Sequence, residues 1–229
     1  MSLPSAIRMT ASSNPTGALI FFHGLGDSGS GWSFFPQLIK RANIVPNSDS
    51  INYVFPNAPE IPISVNGGYR MPGWFDIYEF GNPNAKQDVA GFLKSCELVK
   101  GYIKEQMTTY NIPAEKIIIG GFSQGAALTL ATLALLDIKI GGAVIFSGFC
   151  PIKKELGGLL NKANFDTPVF QGHGTADPVI AHEFGQQTSV LFQDLGFKNF
   201  KFHSYPGLAH SASEEELEQA MEFIKNVLK

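Results

Sequence analysis

The residues most open to a chemical reading are Gly121-Phe122-Ser123-Gln124-Gly125, which fit Gly-x-Ser-x-Gly directly after Ile117-Ile118-Ile119. A helix-forming run from Gln124 to Leu136 follows at once. Strand, sharp turn and helix is the setting in which this pentapeptide holds a serine out as a nucleophile, with strained angles at the serine and small neighbours that let the helix start close to the strand. The hydroxyl then sits at a helix N-terminus, where negative charge is favoured. An ordinary tight turn would account for the pentapeptide alone, because glycine and serine are common. The strand before it and the helix after it favour chemistry at Ser123.

A serine hydroxyl is a poor nucleophile without a base. In the chain order serine, acid, histidine, three histidines come late enough to leave room for an acid: His182, His203 and His210. His203 falls inside a strand pattern, where a satisfied core histidine is the plainer reading, and His182 opens a helical pattern. His210 lies in Tyr205-Pro-Gly-Leu-Ala-His210-Ser211, a loop after the last strand pattern, from which an imidazole can swing over the strand ends. The acid expected beside it is Asp177, in Gly172-His-Gly-Thr-Ala-Asp177-Pro-Val179 just past the strand pattern Pro168-Val169-Phe170. From there it can accept the histidine Nδ1 proton. Its bland alternative is an Asx-turn before Pro178. His173 precedes Asp177 and reads as a structural loop residue. A developing oxyanion needs donors. One is expected from the Gln124 N–H and the other from the loop His23-Gly24-Leu25-Gly26-Asp27, with Leu25 N–H the candidate.

That loop also contains a decoy. Gly24-Leu-Gly26-Asp-Ser-Gly29 matches the Gly-x-Gly-x-x-Gly of dinucleotide sites, but the second strand pattern ends Val54-Phe55-Pro56 without the acid such a site requires. No Gly-Lys-Ser/Thr, His-Glu-x-x-His or Cys-x-x-Cys occurs, so no cofactor and no metal are expected.

These residues need a frame. Ala18 to Phe22, Tyr53 to Phe55, Ile117 to Ile119, Ala143 to Phe146, Pro168 to Phe170 and Phe200 to Tyr205 read as short strands. The first is apolar on both faces, as in a buried parallel sheet. Amphipathic helical patterns cover Gln87–Tyr110, Gln124–Leu136, His182–Leu195 and Glu214–Val227, the last with Ser213 as N-cap. The alternation predicts an α/β fold with a mostly parallel sheet and one domain over residues 1–229. Residues 56–84 break the rhythm with five prolines and four glycines among apolar residues, and read as a packed functional loop.

A net charge of −3 from 17 basic and 20 acidic residues, with no basic run, excludes nucleic acid as the expected partner. The first ten residues carry no apolar signal core, Ser2 stands where myristoylation needs glycine, and no apolar run reaches the ~18 residues of a spanning helix. Cys96 and Cys150 are the two cysteines. The expectation is a soluble intracellular protein, cytoplasmic and also nuclear, with both thiols reduced and inert.

Taken together, His23-Gly-Leu-Gly-Asp-Ser-Gly-Ser-Gly-Trp32, Phe55-Pro-Asn-Ala-Pro59, Asn66-Gly-Gly, Met71-Pro-Gly-Trp-Phe-Asp-Ile77, Gly120-Gly-Phe-Ser-Gln-Gly-Ala-Ala127, Ser147-Gly-Phe149, Gly172-His-Gly-Thr-Ala-Asp-Pro178 and Ala209-His-Ser211 span nearly the whole chain. In these the chain resembles the acyl-protein thioesterase and lysophospholipase-like carboxylesterases, and looks most like a fungal member. The resemblance implies an α/β-hydrolase fold with helices flanking a mostly parallel sheet and no large separate lid domain. It places catalytic roles on Ser123, Asp177 and His210 and oxyanion donors on Leu25 and Gln124. The implied reaction is hydrolysis of fatty acyl thioesters on S-palmitoylated cysteines of proteins, with small acyl esters as the alternative substrates of a general carboxylesterase or lysophospholipase. Some members carry a palmitoylated cysteine near the N-terminus; this chain has none before Cys96. Ile61, Ile63, Val65, Met71, Trp74 and Phe75 are expected to line an acyl groove, against the plainer reading that they pack the loop onto the sheet. The apolar entrance would then offer a transient membrane contact or a homodimer face. A non-catalytic lipid-binding module is the distant rival, whose mark would be a damaged triad.

Overall fold

The computed structural model describes residues 3–12, 14–80 and 85–229. The expectations that fall on Ser2 and on residues 81–84 of the irregular segment lie outside them. Nine strands are described: β1 (Ala6–Met9), β2 (Gly17–Phe22), β3 (Ile51–Pro56), β4 (Glu60–Ile63), β5 (Tyr69–Pro72), β6 (Ile117–Phe122), β7 (Gly142–Phe146), β8 (Val169–Gly174) and β9 (Phe200–Tyr205). The helices of the same residues are α1 (Phe35–Ala42), α2 (Val89–Thr109), α3 (Gln124–Leu135), α4 (Lys153–Leu159), α5 (His182–Leu195) and α6 (Glu214–Leu228). Seven strands form one sheet in the order β1-β3-β2-β6-β7-β8-β9, parallel except for β1, which runs antiparallel to β3 at the edge.

The isoleucine run shows why this sheet forms. Ile117, Ile118 and Ile119 are all fully buried, and the period of two sends them to opposite faces. Ile117 and Ile119 join one apolar cluster with Phe92, Val99 and Ile103 of α2 and Leu128 of α3. Ile118 joins a second cluster with Phe35 and Ile39 of α1 and Met221 and Ile224 of α6. Burying one such side chain contributes about 1.5–3 kcal/mol. Two helix layers on a parallel sheet are therefore what continuous apolar strands require. Helix α3 is buried on every side from Gln124 to Ala134, which fixes it as the central helix against β6 and β7. The helices α2 and α6 start where side chains cap them: Asp88 accepts from Gly91 N and Ser213 accepts from Glu216 N.

The α/β class and the strands and helices expected from periodicity are present. The structure adds β1, α1, α4 and the β4–β5 hairpin, which are elements of four to eight residues, too short to show a period. It also replaces the expected loop over the irregular segment with that antiparallel hairpin, in which Glu60 pairs Pro72 and Ile63 pairs Tyr69. Among the described residues no helix is long and apolar enough to cross a membrane.

The chain leaves β2 toward β3 on one side and continues from β6 on the other. The crevice at the carboxyl ends of β2 and β6 is thus the topological switch point, where ligands bind in open α/β sheets.

Candidate active site

Ser123 sits between β6 and α3 with φ 54° and ψ −115°, in the left-handed half of backbone space that a β-carbon disfavours. Its N–H donates to Phe146 O at 3.0 Å and its carbonyl accepts from Ala127 N at 3.0 Å, so the strained turn is tied to β7 and to its own helix. The two flanking glycines are set by packing. A β-carbon on Gly121 would lie 2.3 Å from the Gly125 carbonyl carbon, and one on Gly125 would lie 2.1 Å from Phe22 O. Only glycines let the strand, the helix and the end of β2 approach this closely.

The loops after β8 and β9 bring two more groups to the same place. His210 Nε2 is 2.9 Å from Ser123 Oγ, and His210 Nδ1 is 2.7 Å from Asp177 Oδ2. Asp177 has no exposed side-chain surface, whereas the His210 side chain keeps 16% of its own. The remaining Asp177 oxygen, Oδ1, accepts from Val179 N at 2.8 Å and from Ile180 N at 2.9 Å. The Asx-turn and the histidine contact therefore coexist, one on each oxygen. Phe122 packs beside the His210 ring with centroids 4.8 Å apart. This arrangement can move a proton from a hydroxyl to an imidazole and stabilise the resulting imidazolium.

Leu25 and Gln124 stand with Ser123 and His210 around one cavity of about 330 Å³. The loop that carries Leu25 is held from behind. Gly26 N donates to Pro72 O at 2.8 Å, and Trp74 Nε1 donates to His23 O at 2.8 Å. His23 accepts at Nε2 from Ala58 N at 3.0 Å, which leaves Nδ1–H to donate to Gly24 O at 2.7 Å. Burial lowers the His23 pKa, consistent with that neutral form. The Gln124 side chain completes the brace, accepting from Trp74 N at 2.9 Å and donating to Phe75 O at 2.7 Å. The decoy glycines serve the same packing: a β-carbon on Gly29 would lie 2.2 Å from Phe55 O.

The expected acyl groove needs correction. Of the six residues named for it, Phe75 alone lines the cavity. Trp74 is 2% exposed and turned away to hold His23, with its ring edge-on to Phe22. Ile61 and Ile63 pack around Gly73, next to Leu25, and Met71 lies beside Gly26. Val65 is tied by its N–H to Ile77 O at 2.8 Å. Ile61, Ile63, Val65, Met71 and Trp74 therefore lie outside the cavity that holds Ser123. The apolar wall comes instead from Ile77, Phe80, Phe149, Val179, Ile180 and Phe184. Two of these had a signal in the sequence: Phe149 ends Ser147-Gly-Phe149, and Val179 follows Asp177-Pro178. Cys96 and Cys150 are free and buried, and burial pushes their thiols up to about 11 and about 12. Such thiols are poor nucleophiles.

The chain is similar to several known proteins. The family model described as Phospholipase/Carboxylesterase matches residues 6–228. A protein of Debaryomyces hansenii named acyl-protein thioesterase 1 is 68% identical over 225 residues, covering 98% of this chain and 97% of that protein. A Candida albicans protein of the same name is 62% identical over 228 residues, with 98% of each covered. Among solved structures, acyl-protein thioesterase 2 of Zea mays superposes with a TM-score of 0.86 at 25% identity, covering 99% of this chain and 100% of that one.

Proposed function

The chain belongs to the phospholipase/carboxylesterase family, and on that premise we propose that it is a serine hydrolase that removes fatty acyl groups from S-acylated cysteines of proteins. The observation that carries the reading is the hydrogen-bonded run Ser123 Oγ, His210, Asp177, of which Ser123 and His210 line a mostly apolar cavity. The thioester specificity draws on the two yeast relatives named acyl-protein thioesterase 1.

In this reading His210 Nε2 takes the Ser123 proton as Oγ attacks the thioester carbonyl. Asp177 stabilises the imidazolium and holds its tautomer. The carbonyl oxygen becomes an oxyanion and is met by the N–H groups of Leu25 and Gln124. Collapse breaks the carbon–sulfur bond, His210 returns the proton to the departing thiolate, and the acyl group remains as an ester on Ser123. Water, deprotonated by His210, repeats the attack and releases the fatty acid. The acyl chain lies along Ile77, Phe149 and Ile180, each buried methylene contributing about 0.8 kcal/mol.

Phe80 and Val179 keep 49% and 44% of their surface exposed at the cavity mouth. We read them as a transient contact with the membrane that carries S-acylated proteins. A dimer through the same face would close the mouth, so the working form keeps that face free. The two free thiols support a cytoplasmic site of action, where cysteines stay reduced.

The test is kcat/KM on a palmitoyl-thioester peptide and on an octanoyl ester. A clear preference for the long thioester supports the reading. Turnover confined to short esters would replace it with a general carboxylesterase using the same three residues.

A further inference from the structure

Asp177 has a second histidine. His173, in β8 four residues before the acid, is fully buried. Its Nε2 lies 2.9 Å from Ile180 O and 3.4 Å from Asp177 Oδ2. A carbonyl only accepts, so Nε2 carries the proton and Nδ1 of the neutral ring is left as an acceptor. That Nδ1 has no hydrogen-bond partner among the described residues. It faces the backbone of Gly185 in α5, where a β-carbon would lie 2.5 Å away. Burying a half-bonded imidazole costs free energy, so its placement needs a compensating role.

The compensating role is visible in the turn that follows. Ile180 N donates to Asp177 Oδ1 while Ile180 O accepts from His173, so residue 180 is held at both its N–H and its C=O. With Oδ1 occupied by Val179 N and Ile180 N, Oδ2 is the oxygen left to face His210 at 2.7 Å. The titratable groups around the His173 ring are Asp177, His210 and, from α5, His182, whose ring centroid is 5.8 Å away. Phe202 of β9 and Gly185 supply apolar contacts. Burial lowers the His173 pKa below its ordinary value and outweighs the raising effects of the Ile180 bond and Asp177.

We propose that His173 is a positioning residue for the reaction described above: its Nε2–H holds the Ile180 carbonyl and thereby aims Asp177 Oδ2 at His210, and its neutral ring leaves the Asp177 charge to His210 alone. The proposal rests on the catalytic reading of Ser123, His210 and Asp177. His173 does not touch the reacting atoms and acts through the turn. Because Val179 and Ile180 belong to that turn and wall the cavity, the same bond joins the aim of the acid to the shape of the acyl site.

Two amide variants separate this role from packing. His173→Gln places an amide nitrogen near the position of Nε2, and His173→Asn places one near Nδ1, without a donor to Ile180 O. The expected result is kcat within about threefold of wild type for Gln and at least about tenfold lower for Asn, small beside the 10²–10⁴ of general-base catalysis. For Asn the acid limb of kcat/KM moves to lower pH, because the imidazolium at His210 loses carboxylate stabilisation. Equal losses in both variants with an unmoved acid limb would reduce His173 to packing. If the variants do not fold, ¹⁵N NMR of the wild-type imidazoles decides. The proposal requires His173 as the Nε2–H tautomer, untitrated between about pH 5 and 8. An Nδ1–H tautomer or a titration in that window overturns it. Absence of an acyl burst in wild type would instead defeat the catalytic reading itself.

Discussion

The loops at the ends of β6, β8 and β9 and the segment from Pro56 to Phe80 both border the crevice, yet they are built on opposite terms. In the first region the polar atoms of Ser123, Asp177 and His210 bond one another across 87 and 33 residues of sequence. Those side chains are placed by backbone ties: a strained φ at Ser123, two N–H groups on Asp177. In the second region the polar atoms bond the backbone of the neighbouring loop, and most of the apolar side chains face away from the serine. The first region joins three polar side chains into one linked group; the second braces the loop of Leu25 from behind, while its Phe75, Ile77 and Phe80 line the cavity. The difference shows that an active site spends its large side chains on rigidity as well as on contact.

Mutations can sharpen that division. The largest effect is expected for Asp177→Asn, which should lower kcat by about 10⁴-fold on every acyl chain length by leaving His210 in the wrong tautomer, while a thermal melt stays near wild type. Trp74→Ala should behave as a support mutation. It removes a side chain that is 2% exposed and should cost about 3–5 kcal/mol of stability by denaturant titration, with equal losses on long and short substrates. A loss confined to long chains would return Trp74 to the acyl site.

A third change lies behind the presenting loops. Glu216 in the first turn of α6 is fully buried, its carboxyl oxygens have no hydrogen-bond partner among the described residues, and burial pushes it up to about 8. The folded protein therefore holds this proton more tightly than the unfolded chain does. The stability it contributes is complete below the unfolded carboxyl range and declines as pH rises toward about 8. Glu216→Gln should then stabilise by on the order of 2 kcal/mol at alkaline pH and by nothing near pH 4, read from midpoints of denaturation across pH. A pH-independent difference would contradict the burial argument. The smallest effect is expected at the acyl wall: Ile77→Ala should lower kcat/KM about tenfold for a palmitoyl substrate and leave an octanoyl one nearly unchanged, since only the buried methylenes differ.

The same division explains what the sequence makes legible. The α/β class follows from apolar runs such as Ile117–Ile119, whose burial on both faces leaves little alternative to a covered parallel sheet. Ser123, Asp177 and His210 are readable because each is a chemically demanding type in a loop after a strand, and the structure brings those three loops together. The role of an apolar residue is not readable in that way, because one side-chain chemistry serves core and cavity alike. Trp74 and Ile63 look identical to groove residues until the β4–β5 hairpin sets their direction. Ile180 and Phe184 lie far along the chain from the serine, in a turn and a helix whose facing depends on how α5 packs on β8 and β9. His173 shows a related limit. Its type and position are plain in Gly172-His-Gly-Thr-Ala-Asp177, but its bond to Ile180 O exists only once the turn has closed.

The central claim is that Ser123 carries the acyl group. The direct measurement is to mix the protein with a palmitoyl thioester, quench in acid within the first turnovers, and locate the added acyl mass by peptide mass spectrometry, with Ser123→Ala beside it. The expected product is an oxygen-linked palmitoyl ester on the peptide containing Ser123, absent from the variant. An acyl group on Cys96 or Cys150, or one that persists in Ser123→Ala, would contradict it.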